Sequence, residues 1–160
     1  MLCSQNELKE LLHYKNQAVV NRFKKEYPHL SHQAEIIFED LLRFFWGTRK
    51  HALDKKENPE KNEFQFIFIM DKDMMEIDQM WHIFLLFTRD YASFCHKYFG
   101  EFLHHQPDLV PLFENQGFQF KSNLEKFLNY TFDLFGEEVI TRWFSRTLNL
   151  GPHRQSHLNI

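Results

Sequence analysis

Met74-Met75-Glu76-Ile77-Asp78-Gln79-Met80-Trp81-His82-Ile83-Phe84-Leu85-Leu86-Phe87-Thr88-Arg89-Asp90-Tyr91-Ala92-Ser93-Phe94-Cys95-His96-Lys97-Tyr98-Phe99-Gly100 is the stretch on which the fold turns. Its apolar residues recur at helical spacing, and Gly100 supplies the left-handed residue that stops a helix. Asp78 and His82 are four residues apart and share one helical face. That pair suits two roles: metal ligation, or a hydrogen bond in which Asp78 merely orients the imidazole.

Geometry decides what else can join them. One straight helix over residues 76–99 puts Cys95 roughly 20 Å beyond His82 and on the opposite side. The five or six residues that follow span at most about 20 Å, too few to bring His105 back. A break at Thr88 removes both obstacles. Thr is a competent N-cap, and Asp90 then lies in a new first turn. The halves form a hairpin in which His82, Cys95 and His104 or His105 reach one level. A site therefore requires the break.

Working outward, Asp71-Lys72-Asp73 reads as a turn, with Asp73 and Glu76 at capping-box spacing. Phe64–Met70 fits a short strand or a buried helical turn. Residues 50–63, with Lys55-Lys56-Glu57-Asn58-Pro59-Glu60, read as a surface loop. Before it, Ser31 caps a heavily apolar helix running to about Arg49. Residues 6–27 read as one helix ended by Pro28. Beyond Gly100, residues 101–121 are irregular, with Pro107, Pro111 and Gly117. Two last helices, 122–135 and 137–149, split near Gly136, and 151–160 is a flexible tail. The expected fold is all-α: one compact domain over 1–160, with its core in about 6–150. It has five to seven helices and room for one short strand pair near 64–70.

The 160 residues suffice for a core without disulfide or metal staples. Phe occurs 19 times, as expected of an aromatic core. Lys+Arg of 19 against Asp+Glu of 22 argues against a nucleic-acid-binding face or a polybasic membrane anchor. No apolar run approaches a membrane span. The first residues do not read as a signal peptide, and two cysteines, Cys3 and Cys95, form no disulfide framework. A reducing, cytoplasmic setting is expected. All five glycines are isolated, which excludes dinucleotide and phosphate loops. HExxH and the deaminase PCxxC are absent.

Asp78-x-x-Trp81-His82, Tyr91, Phe94-Cys95, Phe99-Gly100 and His104-His105-x-Pro107 together resemble the glycine-rich-domain-containing-protein-like family, most closely its small bacterial members. The resemblance covers residues 77–107 and extends weakly to 122–143. Relatives in that family often carry Pro where this chain has Thr88, which implies a helix boundary there. The domain has no assigned reaction. The resemblance carries over Asp78, Trp81, His82 and His105, with Cys95 and His104 in the bacterial form. Trp81, Tyr91 and Gly100 fall to the structural part of the motif.

Two imidazoles and a carboxylate with open positions favour iron or zinc. One expectation is thus a metal-binding protein, or a metal-dependent enzyme, using Asp78, His82 and His105 with Cys95 or His104 nearby. The other is a non-enzymatic helical module in which these residues form a polar network. Its partner is then a protein bound at an exposed apolar patch, sought at Phe113, Phe118 and Phe120. A small-molecule partner belongs to the first reading.

Overall fold

The computed structural model describes residues 4–105 and 117–145. These form seven α-helices and no β-strand. The helices are α1 (Gln5–Leu12), α2 (Gln17–Glu26), α3 (Ala34–Glu57), α4 (Met75–Leu86), α5 (Thr88–Phe99), α6 (Gly117–Phe135) and α7 (Glu137–Trp143). Helix α3 is the axis. Helices α1, α2 and α4 pack on it, while α6 and α7 pack on each other. The core is aromatic: Phe23, Phe38, Phe45, Phe84, Tyr91, Phe94 and Trp143 are all fully buried. No described helix is long and apolar enough to cross a membrane.

Several local expectations are corrected. Helix α6 begins at Gly117, inside the 101–121 stretch expected to be irregular. Residues 6–27 form two helices, because Asn16 caps the second. Its Oδ1 accepts from the Val19 N–H at 3.1 Å, and its Nδ2 donates to Asp90 Oδ2 at 2.8 Å. Asn satisfies orphan N–H groups at a cap better than it serves a helix interior. Ser31 lies inside a 3-10 stretch, Pro28–Gln33, and α3 begins only at Ala34.

The expected 50–63 loop is helical as far as Glu57. Its polar residues find tertiary partners: His51 is buried with its ring 4.0 Å from Phe66, and Tyr130 donates to Asp54 Oδ2 at 2.7 Å. Lys50 pairs with Asp54 one turn on. Of the 64–70 segment, Phe64 ends a 3-10 turn, Asn62–Phe64, and residues 65–70 are neither helix nor strand. Asn123 holds it with one side chain, accepting from the Ile67 N–H at 2.8 Å and donating to its carbonyl at 3.1 Å.

The break that the site requires is present. Phe87, at φ −89° and ψ 62°, separates α4 from α5. Thr88 is the first residue of α5 and not its cap. Gly100 ends α5 at φ +72°, and Gly136 separates α6 from α7 at φ +82°. Both backbone angles favour glycine. At the entry to α4, Asp71 caps a 3-10 turn, Lys72–Met74, by accepting from the Asp73 N–H at 2.9 Å. Pro107, Pro111 and Phe113, the last residues of the 137–149 helix and the 151–160 tail lie outside the described residues.

Candidate metal centre

Helix α5 folds back on α4 through aromatic contacts. The Phe84 ring lies 5.0 Å from Tyr91 and 5.3 Å from Phe94. Behind them, Trp81 rests edge-on against Phe45 of α3 at 5.0 Å. One hydroxyl then ties three segments together. Tyr91 Oη accepts from Trp81 Nε1 at 2.9 Å and donates to the Leu103 carbonyl at 2.7 Å. Tyr91 is wholly buried, and desolvation raises its pKa far above the ordinary phenol value. It stays a neutral donor.

Pinning Leu103 delivers His105 to α4. His105 Nε2 donates to Asp78 Oδ1 at 2.7 Å, and its ring stands 4.4 Å from Trp81 and 4.6 Å from His82. His82 Nε2 lies 3.8 Å from Asp78 Oδ2. Asp78 thus presents one oxygen to each imidazole. The side chains of His82, Asp78 and His105 are 53%, 30% and 12% exposed, a gradient from rim to interior.

The ligand atoms of Asp78, His82 and His105 all lie within 4.8 Å of one another. Ligands about 2 Å from a tetrahedral ion stand roughly 3.3 Å apart. Rotation of the half-exposed His82 closes most of that gap. Coordination also requires a deprotonated imidazole nitrogen. An ion here takes the place of the proton that now lies between His105 and Asp78. The donor set therefore fits a divalent metal.

Cys95 and His104 fall outside this set. Cys95 lies one helical turn after Tyr91, wholly buried beside its hydroxyl and the Leu103 backbone, and burial pushes the thiol's pKa up. His104 is exposed and packs on Phe102 at 4.9 Å. Trp81, Tyr91 and Gly100 act as scaffold: a ring against His105, the tie to Leu103, and the turn that starts the return.

The triad opens on a cavity of about 700 Å³. Phe44, Phe45 and Ala52 of α3, Phe68 and Ile69 of the segment before α4, and Phe102 and Leu103 of the return loop line it. Arg49 at its edge pairs with Glu101 at 2.7 Å. Asp71 is a buried lining residue whose carboxyl is raised above the usual range by desolvation. Nothing in the residue pattern signals this cavity, because three segments separated along the chain enclose it.

A family model described as UCP032817-like matches residues 7–122, well over half of the chain. The chain belongs to the UCP032817-like family. This corrects the resemblance to the glycine-rich-domain-containing-protein-like family, to which no family model links the chain. That resemblance rested on about thirty residues around one helical hairpin, whereas the family match runs from α1 into α6. No curated protein and no solved structure matches the chain.

Proposed function

We propose that this member of the UCP032817-like family is a mononuclear metal protein, holding zinc or iron through Asp78, His82 and His105, and that it acts as a metal-dependent enzyme. The observation that carries the reading is the convergence of two imidazoles and a carboxylate on the wall of a cavity large enough for a substrate. Three protein ligands leave positions open for water and substrate. When bound, the ion supplies Lewis acidity and lowers the pKa of its water. The chain's own residues do the rest: Trp81 and Tyr91 fix the His105 ring, and the aromatic cavity limits water around the reacting atoms. A free, buried Cys95 thiol fits a cytoplasmic setting. One domain over 1–160 fits the shared aromatic core.

A second reading has one observation in its favour. The 2.7 Å bond between His105 and Asp78 closes the return loop on α4 with no metal. On that reading the three residues are a structural network in an interaction module.

Elemental mass spectrometry of the untagged protein separates the two, beside His82→Ala and His105→Ala. The metal reading expects near-stoichiometric zinc or iron in the parent and its loss in both variants. Because His82 is half-exposed, its variant should change stability of the metal-free protein by no more than about 0.5 kcal/mol. A parent without metal after reconstitution overturns the metal reading and leaves the network.

A further inference from the structure

We infer that the cavity beside the triad binds a hydrophobic monocarboxylate, its tail among the aromatic residues and its carboxylate at the metal and Lys72. The inference rests on the metal reading and adds the class of ligand.

Size comes first. About 700 Å³ lies within the range of about 300–1,000 Å³ typical of small-molecule sites. Most of the wall is apolar. Two of the lining residues, Met75 and Phe102, are also exposed large hydrophobic side chains, 42% and 45% accessible, which an apolar ligand would cover. The tail is therefore hydrocarbon.

Charge sets the head group. Five permanently ionisable residues line the cavity: Arg49, Asp71, Lys72, Asp78 and Glu101. Arg49 and Glu101 neutralise each other. Asp78 faces the ion. Lys72 is exposed, and it makes no hydrogen bond or ion pair among the described residues. Its nearest charge effect is on the neighbouring Asp71, which is buried and held by the Asp73 N–H. With a divalent ion in place, the lining keeps excess positive charge even with Asp71 ionised. An anionic head answers that excess, and a carboxylate is a good oxygen donor to zinc or iron. With Arg49 paired to Glu101, Asp78 at the ion and Asp71 buried, Lys72 is the one cationic side chain left to meet a ligand, so one carboxylate is expected. The lining has no glycine-rich loop that would cradle a phosphate chain.

The test uses the zinc-loaded full chain. Calorimetry compares straight-chain carboxylates from hexanoate to dodecanoate with the matching primary amides, with zinc measured on the same samples. At least one chain length should bind as the carboxylate ten-fold or more tighter than as the amide. Ala52→Phe, which fills the cavity from an exposed helical position, should weaken binding ten-fold or more while zinc and helical content stay unchanged. Lys72→Gln should weaken the carboxylate several-fold and leave the amide alone. Retained zinc with no binding, with equal binding of acid and amide, or with Ala52→Phe and Lys72→Gln both without effect overturns this inference and leaves the metal reading standing. Wild-type protein that holds no zinc overturns both.

Discussion

Two carboxylates in this molecule each sit between two nitrogen-bearing side chains, and they do opposite things. Asp40 on α3 is 4% exposed and receives Arg142 of α7 in a two-pronged grip, Nε to Oδ2 at 2.9 Å and Nη2 to Oδ1 at 2.8 Å. Arg43 adds a third bond at 2.7 Å. Asp78 on α4 is 30% exposed and faces His82 and His105. Guanidinium has five donors and no usable lone pair, and it stays protonated. Around Asp40, Arg142 thus holds α7 against α3, while Arg43 completes the carboxylate's partners from α3 itself. Imidazole has a lone pair to give once its proton leaves. The second centre opens on a cavity and keeps chemistry available. Burial and partner type, more than the carboxylate, separate a lock from a site.

The largest break in this contrast is Asp40→Asn. It leaves two arginines facing a neutral amide at a mostly buried position, and removing one partner of a buried pair typically costs about 3 kcal/mol or more. Urea denaturation should show a loss of about that size. Metal content should stay at the parental level, since among the described residues no hydrogen bond or ion pair joins Asp40 to the triad. Loss of metal from the folded variant would join the two centres.

Tyr91→Phe is next. It strands Trp81 Nε1 and the Leu103 carbonyl, at a cost of about 2 kcal/mol. It also loosens the return loop that carries His105. Removing such a support lowers metal affinity by roughly 10- to 100-fold. Zinc titration with a competing chelator measures it, and parental affinity would show that the hydroxyl does not position the site.

The smallest expected effect sharpens the role of imidazole. His51 is buried against Phe66, and desolvation lowers its pKa below the ordinary imidazole value. The unfolded chain therefore binds more protons than the folded one as pH falls through about 6.5, and stability rises with pH there. The contribution is fully present above that pH and is lost below it. Metal-free protein should lose stability between pH 7 and pH 5, and His51→Phe should lose less. Identical slopes would remove His51 from the account.

The hairpin was legible because its signals are local. Thr88, Gly100 and the Asp78–His82 spacing act within a few residues, so the sequence carried the break, the stop and two of three candidate ligands. His105 also followed once the break was granted. What stayed hidden depends on distant partners. Residues 50–57 look like a polar loop until Tyr130 and Phe66 take Asp54 and His51. Phe64–Met70 fits a strand or a helical turn equally well until Asn123 takes the Ile67 backbone groups. The Asp40–Arg142 lock left one faint trace, an acid amid Ile36, Ile37, Phe38, Leu41 and Leu42. Cys95 was drawn toward the site by the hairpin, yet its helical phase puts it under Tyr91.

All three candidate ligands fall within residues 78–105, whereas Asp40 and Arg142 stand 102 positions apart. Closing a short loop costs little chain entropy, so local contacts form early. As the chain leaves the ribosome, α3 to α5 and the return loop are complete before α6 and α7 exist. The metal-binding surface is then expected to form ahead of the lock. Pulse-labelled hydrogen exchange during refolding should protect α4 and α5 before α7, and the reverse order would refute it. A newly made chain would meet metal ions while the α6 and α7 share of its core, Phe127, Tyr130, Val139, Ile140 and Trp143, was still missing, and ion supply would bear on folding as well as on the finished site.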